Sequence, residues 1–189
     1  MATIEIPQVK DTLPKIATGL KKYISLQDRF HNVNVSENRQ FQEDYTGFFG
    51  MHWKSEEFRA AYFRFMEERK HDMGLTFDSV LNHLHGIEGS VEASFASKLL
   101  AMVKPDMPVL DSHVRENLGI EKPAWCANPQ TRIEHGIAIY QAIREWYKNH
   151  FKSGEAAEWL KLFDEHYPDA KGKISDVKKI DLILWQIRD

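Results

Sequence analysis

The chain has 189 residues, 42% of them hydrophobic, with 25 Lys and Arg against 28 Asp and Glu and a formal net charge of −3. That length fits one domain with a sizeable core, while the single cysteine, Cys126, excludes an internal disulfide framework and any four-cysteine zinc or iron–sulfur site. The acidic balance excludes the global basic signature of a nucleic-acid binder, and no stretch approaches the roughly 20 apolar residues of a membrane span.

The opening segment, MATIEIPQVKDTLPKI, lacks the apolar run of a secretory signal peptide, so the cytoplasm is the expected compartment. Leu13, Ile16 and Leu20 predict a first helix over Thr12–Tyr23. The polar run HNVNVSENRQ follows, with Ser36 as an expected N-cap. Ser55-Glu56-Glu57 then opens a stronger helix in which Phe58, Ala61, Tyr62, Phe65 and Met66 form an apolar stripe, stopped by Met73-Gly74. Thr76 caps a short helix through Leu84, a turn over Gly86–Gly89 follows, and a helix from about Val91 to Val103 ends at Pro105. Asp111 caps another short helix that Gly119 closes. Pro123–Pro129 is a loop, Thr131–Phe151 a long helix, and Ser153 and Ser175 cap two more. No strand alternation of useful length is present, and the expected class is an all-α single domain, residues 1–189, whose last helix is apolar enough to be buried.

The segment 81–120, LNHLHGIEGSVEASFASKLLAMVKPDMPVLDSHVRENLGI, carries the most chemistry. A glycine-bearing turn between helices lets the backbone approach a ligand, and the following helix N-terminus offers N–H groups to an anion. Such a turn is also a common C-cap between packed helices. The charge here is unhelpful to a phosphate: Lys98, Lys104 and Arg115 stand against Glu88, Glu92, Asp106, Asp111 and Glu116. Two basic runs, Lys54/Arg59/Arg64/Arg69/Lys70 and Lys171/Lys173/Lys178/Lys179, are interleaved with acids and read as solvated helix faces.

Met107-Pro108-Val109-Leu110-Asp111-Ser112-His113-Val114 resembles the Pro-Ile-Leu-Asp-Gly-Asn-Val and Pro-Val-Asp-Thr-His-Val segments of the helix-hairpin-helix DNA glycosylase superfamily, which includes endonuclease III and the adenine-mismatch and 8-oxoguanine glycosylases. The resemblance implies a helical bundle, built as one body or as two small lobes with a cleft between, and DNA as the partner. It implies that Asp111 is catalytic, stabilising positive charge on the sugar while an N-glycosidic bond is hydrolysed. Gly86, Ile87 and Gly89 then correspond to the DNA-binding hairpin, and His113 to the residue that buttresses the turn after the acid. Counting back seventeen residues from Asp111 reaches Ser94, where bifunctional members carry their attacking lysine, so the resemblance implies hydrolysis without strand cleavage. This chain departs from the family hairpin in having Glu88 where a second glycine is usual and Gly89 one place later. The superfamily's iron–sulfur cluster cannot be built on one cysteine, and no other cofactor is implied.

Lys98, four residues after Ser94, lies one turn further along the same helix face. It reads either as an exposed helix lysine or, deprotonated, as an amine able to form a Schiff base with an opened sugar. Trp53 and Trp125 fall in or beside loops, as do Tyr45, Phe48 and Phe49, and are candidates for a base pocket. The nine histidines make no metal-binding pattern. The alternative to an enzyme is a non-catalytic helical module that keeps the fold and binds protein or nucleic acid through its surface. Nothing in the residues fixes the oligomeric state.

Overall fold

A computed structural model describes residues 4–187. Among these residues the regular structure is helical throughout: α1 (Ile6–Phe30), α2 (Arg39–Phe49), α3 (Glu56–Glu68), α4 (Phe77–Glu88), α5 (Ala93–Val103), α6 (Ser112–Asn117), α7 (Pro129–Lys152), α8 (Glu155–His166), a 3-10 turn at Pro168–Ala170, and α9 (Asp176–Gln186).

Side-chain caps place most of the starts. Ser55 Oγ accepts from the Phe58 N–H at 3.1 Å, Thr76 and Ser79 form a reciprocal capping box, and Ser175 Oγ accepts from Lys178 N–H at 3.1 Å. Each satisfies an N–H that the first helical turn leaves without a partner. Elsewhere the boundaries move. The first helix is twice the predicted length because Pro7 falls in its first turn, where a missing N–H costs nothing, and Pro14 lies on the exposed face. Leu26 and Phe30 then continue its buried stripe. Asn38, not Ser36, caps α2, its side chain accepting from Phe41 N–H at 2.8 Å. Asn128 caps α7, which therefore starts at Pro129. Ser153 closes α7 instead of opening α8, and the chain reverses at Gly154, where φ is 81°.

Helix α5 is the centre of the molecule. Every residue from Phe95 to Val103 is buried, so this helix has no solvent face. Helices α4 and α7 pack against it; α1 packs on α2, α8 and α9; and α6 lies on α9. At the α7 contact a Cβ on Gly136 would stand 3.3 Å from both Ala93 Cβ and Leu81 Cδ2, so glycine sets how closely α7 approaches. The last helix is buried from Lys178 to Leu184, as its apolar character predicts. The apolar interior is one contiguous cluster running from Val9 to Ile187.

The two basic runs are not wholly solvated. Lys54, Lys70, Lys178 and Lys179 are buried, each paired with one or more carboxylates. Their stems lie along apolar surface while the ammonium groups meet acids one turn away in the chain or on a neighbouring element.

Candidate functional site

The segment Pro108-Val109-Leu110 leads the chain from α5 into α6 and is fastened by three helices. The Tyr140 hydroxyl, on α7, donates to the Pro108 carbonyl at 3.2 Å. The Val109 N–H donates to Asp181 Oδ1, on α9, at 3.4 Å, and the Leu110 N–H donates to Ser97 Oγ, on α5, at 2.8 Å. The next residue is Asp111. Its Oδ1 accepts from the His113 N–H at 3.0 Å, which makes it the N-cap of α6. Its Oδ2 lies 3.9 Å from Nζ of Lys98, the residue after Ser97 on α5. One serine thus sets the register that brings an acid and a lysine face to face.

Lys98 is 8% exposed, so it is not the surface lysine that its spacing first suggests. Its Nζ donates to the Phe49 carbonyl at 3.0 Å and lies over the Phe95 ring. Burial lowers its pKa from the ordinary 10.5; Asp111 opposes that shift and Lys178 adds to it.

Asp111, Lys98 and His113 line one cavity of about 580 Å³ between α1, the end of α2, α6 and α9. Its floor holds a second lysine–acid pair, Lys178 and Asp181, with Nζ to Oδ2 at 3.7 Å. Asp181 Oδ1 also accepts from the Tyr147 hydroxyl, whereas Oδ2, though buried, has no hydrogen-bond donor. Burial raises the Asp181 carboxyl from 3.8 to about 6, against the pull of Lys178 and Tyr147. Burial likewise lowers the Lys178 pKa, which Asp181 opposes. Both ammonium groups lie over the Phe49 ring, with Lys98 Nζ 5.9 Å and Lys178 Nζ 5.8 Å from its centre. A low-dielectric floor with two perturbed lysines and one perturbed acid is suited to proton transfer and nucleophilic chemistry.

The other sequence candidates lie elsewhere. Gly86 and Ile87 are not in a turn: α4 continues four residues beyond Leu84, and both sit in its last helical turn. The actual turn is Gly89–Glu92, with Gly89 at φ 69° and its N–H bonded to the His85 carbonyl. It is closed by a clasp in which Lys54 Nζ meets Glu88 Oε2 and Glu92 Oε1, both at 2.5 Å. The Lys54 contact holds the Glu88 carboxyl below its usual range. Two carboxylates against one ammonium leave that turn negative where a phosphate would have to sit. Ser94 lies in the first turn of α5, its carbonyl accepting from Ser97 Oγ at 2.8 Å. Trp53 and Trp125 are 69% and 79% exposed and do not line this cavity. Its aromatic walls are Phe48 and Phe49, which loop position had suggested, and Trp185, which it had not.

Lys178 and Asp181 were missed because they stand in a helix dominated by Ile and Leu, some 70 residues from Asp111. The available signal was their own oddity: two opposite charges three apart on the face of a helix expected to be buried. Among the described residues no group of three or more His, Cys, Asp or Glu side chains could hold a metal ion, and no helix is long and apolar enough to cross a membrane. No protein-family model, curated protein or solved structure matches the chain.

Proposed function

We propose that the chain is a DNA-repair-like N-glycosylase that hydrolyses the bond between the sugar and a damaged or mispaired base, with Asp111 as the acid that stabilises the sugar cation. The observation that carries this reading is the Asp111–Lys98 pair, 3.9 Å apart on the wall of a cavity large enough for one nucleotide. As the C1′–N bond breaks, its electron pair leaves with the base, which takes up a proton, and positive charge develops on the sugar. A carboxylate fixed beside that carbon, its side chain only 17% exposed, lowers the energy of the charge. Water then adds at C1′ and gives up one proton, which balances the proton taken up by the base.

The burial of Lys98 favours a second branch of the same chemistry. A neutral Nζ can attack C1′ in place of water, lose its proton and, once the sugar ring opens, form an imine. The resemblance places the attacking lysine at Ser94; burial and the Asp111 contact favour the lysine one turn later.

The test is incubation with a panel of lesion-containing duplexes, comparing wild type with Asp111→Asn. Base release by wild type that falls by 100-fold or more in Asp111→Asn is expected from the loss of one charge-stabilising group. Release unaffected by the substitution removes this mechanism. Borohydride separates the branches: a covalent adduct absent in Lys98→Gln indicates an imine, and no adduct indicates water as the nucleophile. Wild type inert on every lesion leaves the non-catalytic helical module as the better reading.

A further inference from the structure

The cavity has a rim as well as a floor, and the rim is where its positive charge is exposed. Lys15, Thr18, Gly19 and Lys22 share one face of α1 at helical spacing and form one side. Gly47 and Gly50, at the end of α2, form another. Four lysines and two aspartates line the whole cavity, an excess of positive charge in a chain whose net charge is −3. Gly19 and Gly47 lie inside helices, where glycine is about 1 kcal/mol worse than alanine. At both, an added Cβ would meet nothing within 4 Å, so neither glycine is there to let another element pack. What their bare backbones leave open is the approach to the cavity. Deeper in, Asp181 is 3% exposed, its Oδ2 lacking a hydrogen-bond donor and 3.7 Å from the Lys178 ammonium.

Resting on the glycosylase reading, we propose that the nucleic-acid strand crosses this rim, its phosphodiester backbone held by Lys15 and Lys22 of α1 and passing over Gly19 and Gly47. One nucleotide then reaches down to Asp111 and Lys98. The Gly89–Glu92 turn, closed by Glu88 and Glu92 around Lys54, does not carry the strand. The charge fits a polyanion, the bare helix backbone fits a bulky sugar–phosphate chain, and the floor takes the single residue drawn out of the strand.

Fluorescence anisotropy with a labelled oligonucleotide carrying a stable abasic-site analogue, at several salt concentrations, tests this. In Lys15→Gln/Lys22→Gln the affinity is expected to fall tenfold or more near 100 mM salt, and the slope of log K against log salt to become shallower by about two. Lys148→Gln/Lys161→Gln, two exposed lysines away from the cavity, should match wild type. Gly19→Phe sets a ring at the rim from a Cβ that meets nothing within 4 Å, so it should lose affinity tenfold while its melting temperature holds or rises. Binding unchanged in the double glutamine variant and in Gly19→Phe overturns the strand path. The glycosylase reading survives that result if Asp111→Asn still abolishes base release. Failure of wild type to bind any oligonucleotide at low salt overturns both.

Discussion

A buried acid that shares its ion pair with a lysine makes stability depend on pH in a definite direction. Asp181 titrates at about 6 in the folded chain and near 3.8 unfolded. Between those values the folded state holds the extra proton, so its contribution to stability is complete below pH 3.8 and is lost as pH rises from there through 6. Two units correspond to roughly 3 kcal/mol. In Asp181→Asn there is no carboxyl to ionise, so wild type should lose about that much relative to the variant between pH 4 and 6.5 in chemical denaturation. Parallel curves would mean that Asp181 stays ionised throughout. At this scale the sequence reveals Asp111, because a proline turn before an acid and a polar helix start is a local cap signature. Helical arithmetic puts Lys98 on the face of Ser94, and only the resemblance sets that face against the acid. The sequence conceals the burial of Lys98, which depends on Phe49 arriving from α2, far from it in the chain.

Among the elements, the caps and apolar stripes are short-range signals, and α3, α4, α6 and α9 start where Ser55, Thr76, Asp111 and Ser175 predict. What periodicity cannot resolve is how far a helix runs past a tolerated glycine or proline. Gly86 sits on the exposed side of α4 with open space around it, so the helix passes through it and the turn comes later. Gly136 is the opposite case, a helical glycine that marks a close approach. Gly136→Val would push α7 away from Ala93 and Leu81, and should cost about 1 to 3 kcal/mol, the range for overpacking. The same change at Gly19, where nothing is close, should be neutral or stabilising. Melting temperatures of the two variants check the contrast, and equal losses would refute this account of the α7 contact.

Over the whole molecule, the fold class follows from composition and period, whereas the assembly of the site rests on pairings that no local pattern encodes. The fastening of residues 108–110 joins α5, α7 and α9, with partners 13, 32 and 72 positions apart. Such bonds break only when those helices separate. The Leu110 amide should therefore exchange with deuterium as slowly as the amides in the middle of α5, at the rate set by global unfolding. Fast exchange at Leu110 against a protected α5 would show that the segment opens by itself.

That fastening also makes the order of events during synthesis matter. A nascent chain that has emerged as far as Tyr147 already owns its acid and its amine, yet the loop bearing the acid is still missing the anchor that Asp181 provides. Until the final helix docks, Ser97 and Tyr140 alone can hold that loop, and the third of its fastenings is absent. The finished wall of the cavity is thus among the last features of the chain to be completed.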